Sequence, residues 1–275
     1  MQHLNASLFA VGATLAGPWL FWQGFRALRV QQLINTTPTA RIRSMAMGLV
    51  EVNGTVAPRS RVSAPFSGHD CAYWEIEIAT RSTSSRGVSS WTTVHRNRSG
   101  HPFYLHDDTG VALVYPQGAE CRLAFGVQEE TGGLGVPACY MEYMEHQGLG
   151  MRGVWALGAM RFRERVLEEG QAVYVLGRAH PKPMSMTVSF DEAALEATGT
   201  DSIGARRVRS QDDDVRGVIR RGPQDAAFLI TQQSEKAMSF EYGLKAFGGA
   251  VAGPALALFG LWCVLELMRS GQLFQ

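Results

Sequence analysis

The sequence predicts a mainly β protein, a small OB-like or closed β-barrel domain flanked by two transmembrane α-helices. Residues Ala246 to Leu265 form a run of 20 residues without a charge, and the segment Leu4 to Phe25 has no charged residue either. A helix rises about 1.5 Å per residue, so about 20 apolar residues cross the ~30 Å core of a bilayer. Between these segments, short apolar runs alternate with turn residues, which is typical of a small barrel.

The composition excludes some functional classes. The chain of 275 residues has a net charge of +1, which argues against a strongly basic nucleic-acid binder. The cysteines at 71, 121, 139 and 263 stand singly, without a C-x-x-C pair. That pattern favours free thiols in a reducing compartment over a disulfide framework or a zinc site. No metal, cofactor or nucleic-acid partner is therefore predicted.

The first apolar segment, residues 4–25, is predicted to be a transmembrane helix. A secretory signal peptide is the alternative, but it needs a Lys or Arg before its apolar run, and none precedes Arg26. Trp19, Phe21 and Trp22 extend the apolar stretch to its end instead of a polar cleavage region. These aromatic residues suit the interface of a membrane.

The second apolar segment, predicted as a helix over residues 246–268, carries small residues at Gly249, Gly253 and Ala257. This spacing makes a helix face that a second helix can approach closely. The partner is either the first helix of the same chain or another copy, so a homo-oligomer through these three residues is one prediction. Gly and Ala are also common in membrane helices generally.

The composition and the hydrophobic periodicity of the sequence divide the region between the two predicted helices into three segments. Residues 26–44 are a juxtamembrane segment, in which the helix can continue to Ile34 before Thr36-Thr37-Pro38 ends it. Residues 45–180 form the β-rich domain, and residues 181–245 are a polar arm that returns to the membrane.

Alternating residues predict individual strands in the β-rich domain. Tyr73 to Thr80 alternates as a half-buried strand, and Trp91 to Arg96 is its predicted partner across a Ser-rich loop. Strands on either side of Asp107-Asp108-Thr109-Gly110 predict a hairpin. A second hairpin is predicted from residues 162–167 and 171–176 around Glu168-Glu169-Gly170.

Several segments together resemble a known domain. They are Pro38 to Gly54 (PTARIRSMAMGLVEVNG), Ser63 to Gly68 with Cys71 and Tyr73, Pro102 to Leu105 with Asp107 to Gly110, and Val173 to Gly177. From about Thr37 to Ala179, the chain resembles the BAM (beside-a-membrane) or GIDE domain of the mitochondrial-type, membrane-anchored RING E3 ubiquitin ligases and their prokaryotic relatives.

The resemblance implies an interaction and substrate-recognition role for the domain. Its motif loops are the candidate binding residues: Pro65, Phe66, Ser67 and Gly68 in one loop, and Asp107, Asp108, Thr109 and Gly110 in the other. In the ligases a RING zinc domain follows the second membrane helix, whereas ten residues without a Cys/His ligand set follow Leu265 here. A RING-less, prokaryotic relative in a bacterial inner membrane is therefore expected.

Charges beside the helices predict the orientation of this multi-pass membrane protein. More basic residues flank the central region than the termini: Arg26, Arg29, Arg41, Arg43, Lys236 and Lys245, against Arg269. The positive-inside rule places the central domain in the cytoplasm. In mitochondrial relatives this domain faces the intermembrane space.

Three functional hypotheses follow. The first is a membrane-anchored module that recognises a protein, peptide or lipid and has no catalytic residue. The second is a component of E3 ubiquitin-ligase type that acts with a separate catalytic chain. The third is a hydrolase built on His101, His106 and Asp107, although turn chemistry also explains Asp-Asp-Thr-Gly. Activity as an enzyme is left open, and the first hypothesis is favoured.

Overall fold

A computed structural model describes residues 2–83, 87–132, 135–149, 159–182, 214–223, 227–233 and 235–269. The chain divides into two compact units. One consists of Met1–Pro38 with Ser234–Gln275, and the other of Thr39–Gln233.

The first unit is a pair of long helices, α1 (Gln2–Thr36) and α3 (Glu235–Arg269). Both segments that were predicted to cross the membrane are helical over their whole length. Helix α1 ends at Thr36, two residues before Pro38. A proline ring disfavours the helical conformation of the residue before it, which explains this end.

Glycines lie where the two helices touch. A Cβ added to Gly249 would lie 2.5 Å from the Cα of Gly24, and one added to Gly253 would lie 2.7 Å from the backbone nitrogen of Phe21. A Cβ on Gly17 would lie 2.6 Å from the Cβ of Ala257. The predicted pairing of the two segments is thus confirmed. A homo-oligomer through the same face stays a prediction.

Apolar side chains cover the outside of the helix pair. Leu15, Trp19 and Trp22 on α1, and Phe247 and Leu258 on α3, are all more than half exposed. Among the described residues, the stretch Met238–Glu266 of α3 is long and apolar enough to cross a membrane. This confirms one of the two predicted spans by length and composition.

The second unit holds thirteen strands and one helix in the described part of the chain. The strands are β1 (Gly48–Pro58), β2 (Val62–Ser63), β3 (Asp70–Cys71), β4 (Tyr73–Thr83), β5 (Ser89–Arg98), β6 (Phe103–His106), β7 (Val111–Val114), β8 (Glu120–Arg122), β9 (Val127–Thr131), β10 (Met160–Leu167), β11 (Ala172–Pro181), β12 (Val215–Arg220) and β13 (Leu229–Thr231). The helix is α2 (Ala138–His146), and Ile42–Ser44 form a 3₁₀ turn.

Five strands close a barrel in the order β1-β6-β7-β12-β11 and back to β1. Neighbours are antiparallel, except that β12 runs parallel to β7. Strands β13 and β8 extend the sheet from β11. The mainly β class is confirmed. Of the two predicted architectures, an OB-like domain or a closed β-barrel, the structure contains a closed barrel.

Alternating residues of these strands fill the barrel. Val52, Phe103, Leu105 and Val175 are at most 1% exposed and belong to one apolar cluster. Gly54 allows a close approach, since a Cβ there would lie 2.5 Å from the carbonyl oxygen of His106. Burying the side chains of this cluster stabilises the barrel by about 1.5–3 kcal/mol for each large aliphatic or aromatic residue.

The other main sheet has the order β5-β4-β10-β9. The predicted pairing of β4 with β5 is confirmed, with a bulge between Ile78 and Ala79. Helix α2 packs against this sheet through Tyr140 and Met144. The hairpin at Asp107 to Gly110 is confirmed as β6 and β7.

The second predicted hairpin is wrong. Strand β10 pairs with β4 and β9, whereas β11 pairs with β1, β12 and β13. The turn between them bonds to β1 instead: Gly170 N–H donates to the carbonyl of Val56, and Val56 N–H donates to the carbonyl of Gln171. The prediction of a turn around Gly170 is correct. The turn bonds to β1, however, and the two strands belong to different sheets.

Strands β12 and β13 lie within residues 181–245, the range predicted to be a polar arm. Val218 and Ile219 of β12 are buried, as are Leu229 and Ile230 of β13. The barrel therefore needs this part of the chain for its closure. Residues 183–213 and 224–226 lie outside the described residues.

Adjacent glycines allow a matched test of the helix contact. Gly249→Ala should destabilise the helix pair by about 1–3 kcal/mol, because its Cβ would overlap the backbone of α1. Gly248→Ala should be neutral or stabilising, since nothing lies within 4 Å of its Cβ position and Ala is the better helix former. Titration of the detergent-solubilised chain with SDS, followed by tryptophan fluorescence, measures both. Equal midpoints for the two variants would contradict the contact.

Candidate functional site

The four-stranded sheet has two chemically different faces because neighbouring residues of a strand point to opposite sides. In β10, Met160 and Phe162 point to the side covered by α2, where they are buried with Phe66 and Tyr140. Arg161, Arg163 and Arg165 alternate with them and point to the other side.

The second side is named the arginine face. It contains Arg161, Arg163 and Arg165 of β10, Arg96 and Arg98 of β5, and Glu75 and Glu77 of β4 between them. The register places Glu75 between Arg98 and Arg165, and Glu77 between Arg96 and Arg163. Each glutamate thus has an arginine on both neighbouring strands.

The arginines of β5 hold the two carboxylates. Arg96 Nη2 donates to Glu77 Oε2 at 2.7 Å, and Arg98 Nη2 donates to Glu75 Oε1 at 3.1 Å. The side chain of Glu75 is 3% exposed, whereas that of Arg96 is 51% exposed. Buried carboxylates on the central strand are therefore covered by guanidinium groups that reach solvent.

The arginines of β10 are differently placed. Arg163 Nη1 lies 3.9 Å from Glu77 Oε1, and Arg165 Nη1 lies 3.8 Å from Glu75 Oε1. These distances allow electrostatic attraction but exceed those of a hydrogen bond. In the part of the chain that the structure describes, Arg161, Arg163 and Arg165 have no hydrogen-bond partner at the buried Nε atom.

Aromatic rings orient the same three arginines. The guanidinium carbon of Arg161 lies 4.6 Å from the ring centre of Trp91. Those of Arg163 and Arg165 lie 4.8 and 4.2 Å from the ring centre of Phe125, which is an exposed residue. A cation over a ring is stabilised by about 0.5–1 kcal/mol at an exposed site, so the rings hold the guanidinium planes in place.

The charges of the arginine face shift the pKa of its groups. Burial alone would raise the pKa of Glu77, but the hydrogen bond and charge of Arg96 outweigh it, so the pKa lies below its usual value of 4.5. Burial would lower the pKa of Arg98, and the carboxylate of Glu75 outweighs that effect, so the pKa of Arg98 is raised. Both groups are therefore ionised at neutral pH.

One of the two motif loops predicted to bind a ligand, Pro65 to Gly68, lies beside the apolar face of this sheet. The backbone N–H of Phe66 donates to Glu164 Oε2 at 2.6 Å, and that of Ser67 donates to Glu164 Oε1 at 3.1 Å. Glu164 is fully buried. Phe66 packs edge-on against Tyr140 and Phe162. The loop thus anchors internal packing, and a role in binding stays a prediction.

The other loop, Asp107 to Gly110, is bonded to the 3₁₀ turn. Asp107 Oδ2 accepts the N–H of Ile42, and Oδ1 accepts the N–H groups of Thr109 and Gly110 and the hydroxyl of Thr109. Burial would raise the pKa of Asp107, but these bonds outweigh it and lower the pKa. The structure gives the two predicted loops different partners, so it does not bring them together into one site.

The three residues of the hydrolase hypothesis have separate neighbours. His101 Nδ1 lies 2.9 Å from the carbonyl oxygen of Ser99, and the ring of His106 packs against Tyr104. Both carboxylate oxygens of Asp107 are occupied by the turn. No contact joins the three into an acid-base arrangement within the described residues.

Sequence reasoning did not single out the arginine face. The signal was present as Arg161-x-Arg163-x-Arg165, since residues at every second position share one face of a strand. The opposing Glu75-x-Glu77 was interpreted only as the polar side of a half-buried strand. That β4 and β10 are neighbours could not be read locally, because more than 80 residues separate Glu77 and Arg163 along the chain.

Comparison with known proteins supports the resemblance. Residues 75–191 match the model of the GIDE family, described as E3 Ubiquitin ligase. All the residues of the arginine face fall within this range. Neither the curated proteins nor the solved structures provide a match.

The adjacent aspartates of the loop provide a matched test. Asp107→Ala should lower the free energy of unfolding by about 2–3 kcal/mol, because charged hydrogen bonds to backbone N–H groups are lost. Asp108→Ala should change it by less than about 0.5 kcal/mol, since the contact of its carboxylate among the described residues is an exposed ion pair with Arg41. Urea unfolding of the detergent-solubilised chain measures both.

The depressed pKa of Asp107 also fixes the pH dependence of this effect. The stabilisation is present above the usual value of 3.8 and disappears as the pH falls through the lower folded-state pKa. The difference between wild type and Asp107→Ala should therefore shrink in acid. A difference that stays constant would contradict ionisation of Asp107 as its cause.

Proposed function

We propose that this chain is a membrane-anchored recognition module whose GIDE domain binds a partner protein through the arginine face. The observation that carries the proposal is the imbalance on that face: its five arginines outnumber three glutamates, which are Glu75, Glu77 and Glu130, the residue opposite Arg161. Guanidinium groups recognise carboxylates and phosphates through paired donors, which makes a surface with spare donors suited to an anionic partner.

The arrangement is preorganised for binding. Arg163 and Arg165 lie over Phe125, and Arg161 lies over Trp91, so these side chains are oriented before any ligand arrives. A side chain that is already ordered loses less conformational entropy on binding. No catalytic group is required for this role, which is why recognition fits the geometry better than hydrolysis.

Membrane anchoring by both helices completes the proposal. Two observations support a two-helix anchor in lipid. Apolar side chains are exposed on α1 and α3, and each helix contains a long segment without charged residues. The basic residues that flank the central region favour a cytoplasmic domain in this proposal, and the membrane proposed is a bacterial inner membrane. Tethering raises the effective concentration of the domain for partners at the same membrane.

A second candidate is a component of E3 ubiquitin-ligase type that works with a separate catalytic chain. The family description favours it. In this version the arginine face supplies substrate recognition, and a RING zinc domain on another chain supplies the recruitment of ubiquitin. A neighbouring gene that encodes such a chain would favour this candidate over an independent binding module.

Membrane insertion can be tested with charged substitutions. Leu15→Arg in α1 with Leu258→Arg in α3 should release the chain from membranes during alkaline carbonate extraction, because each charge costs about 2.5–3.5 kcal/mol at the centre of a spanning helix. Wild type should stay in the pellet. Met47→Arg with Val88→Arg is the control, since both residues are exposed in the other unit. Release of wild type would overturn the anchor.

Recognition can be tested by proximity labelling from the full chain in its native membrane. Arg163→Gln with Arg165→Gln should lose a set of labelled neighbours that wild type retains, because the spare donors are removed. Arg61→Gln with Arg220→Gln removes the same charge from exposed positions elsewhere and should keep that set. Identical neighbours for all three chains would contradict recognition at the arginine face.

A further inference from the structure

The arginine face has a regular spacing that indicates the shape of its ligand. Side chains two residues apart on a strand are separated by about 7 Å, which applies to Arg161, Arg163 and Arg165 along β10. Arg96 and Arg98 repeat the spacing on β5, about 10 Å away across β4. The cations therefore form two parallel rows, not a single pocket.

An extended polypeptide has the same period. Its residues also advance by about 3.3 Å each, so every second side chain lies on one side at intervals of about 7 Å. Carboxylates at alternate positions would meet successive arginines of one row. We infer that the arginine face binds an extended acidic segment of a partner protein, with Asp or Glu at every second residue, laid along β10; this rests on the proposed function.

The residues between the rows favour a peptide over a nucleic acid. Glu75 and Glu77 lie beside the arginines of β10, and Glu130 of β9 is opposite Arg161 in the register. A strand of nucleic acid carries a negative charge on every nucleotide, and neutralising those charges dominates its affinity. A peptide with uncharged residues between its carboxylates presents fewer charges near these glutamates.

The aromatic residues lead to the same choice. Proteins that bind single-stranded nucleic acid offer aromatic rings on which bases stack. Here the guanidinium groups of Arg161 and Arg165 lie over Trp91 and Phe125 at 4.6 and 4.2 Å. The rings thus orient the arginines, and the net charge of +1 adds no wider positive field.

Three β10 side chains have the donors that this ligand needs. Carboxylates bind to guanidinium groups in pairs of parallel hydrogen bonds. Arg96 and Arg98 already donate to Glu77 and Glu75, whereas Arg163 and Arg165 stay beyond hydrogen-bond distance of both. The row on β10 is therefore the primary row, and the β5 row adds long-range attraction.

The test is fluorescence anisotropy with the full chain in nanodiscs of neutral phosphatidylcholine. The probes are labelled peptides of eight residues: alternating Asp-Thr, the same residues as four Asp followed by four Thr, and alternating Asn-Thr. Alternating Asp-Thr should bind about tenfold more tightly than the blocked peptide. The Asn-Thr peptide should not bind, and added salt should weaken the Asp-Thr complex.

Variants connect the binding to the arginine face. Arg163→Gln with Arg165→Gln should abolish binding, and Arg61→Gln with Arg220→Gln, which changes the net charge equally, should leave it intact. Arg163→Lys with Arg165→Lys keeps the charge but loses paired donors, so binding should weaken about tenfold. Thermal unfolding of each variant by circular dichroism separates lost binding from lost folding. If the Gln pair fails to fold, the Lys pair and Phe125→Ala provide the same comparison.

Opposite results have distinct meanings. Equal affinity for the alternating and blocked peptides would overturn the extended register. Tighter binding of oligothymidylate or inorganic tripolyphosphate, lost in the Gln pair, would replace the acidic peptide with a phosphate ligand. If no peptide binds while the Gln pair still loses its native neighbours, recognition at the face stands and this ligand class falls. If those neighbours also stay unchanged, both proposals fail.

Discussion

Closure of the barrel depends on β11, which pairs with β1 along one edge and with β12 and β13 along the other. A closed sheet has no free edge, so the backbone groups of its five strands are paired within the molecule. The four-stranded sheet is different, because β5 and β9 end it on either side.

The four-stranded sheet has one side that is covered within the molecule. Strands β4 and β10 lie side by side in the four-stranded sheet, and their apolar side is covered by α2 and by Phe66, whose N–H donates to the buried Glu164. With one side covered, alternation sends Arg161, Arg163 and Arg165 to the other side, where the side chains of Arg163 and Arg165 are 23% and 21% exposed. A buried carboxylate costs free energy unless it is bonded, and here the backbone of the 65–68 loop and the arginines of β5 meet that requirement. Motif residues from the family resemblance therefore maintain the sheet on which the arginine face is built.

Local signals predicted much of this fold. Charge-free runs predicted the two long helices, Asp107 to Gly110 predicted the hairpin of β6 and β7, and alternation predicted β4 and its partner β5. Predictions were weaker where a strand's partner is distant. Gly170 was predicted to lie in a turn, and the structure has a turn there, with a φ of 84°. A turn does not show whether the strands before and after it pair with each other. Strand β12 pairs in parallel with β7, which lies about 100 residues earlier in the chain. Charged residues precede and follow its six residues in the sequence.

The arginine face was still harder to predict from the sequence, because it is formed by residues on neighbouring strands that are distant along the chain. Arg163 and Arg165 alone describe the solvated side of a strand, and Glu75 and Glu77 alone describe another. Only the register of β10 on β4 turns them into rows of cations over buried carboxylates. That combination resists an explanation by stability alone. A replacement of buried ion pairs by apolar residues is often neutral or stabilising, and the five arginines of this face outnumber its three glutamates. The excess of oriented cations on this side of the sheet is the charge that the proposed acidic partner would neutralise.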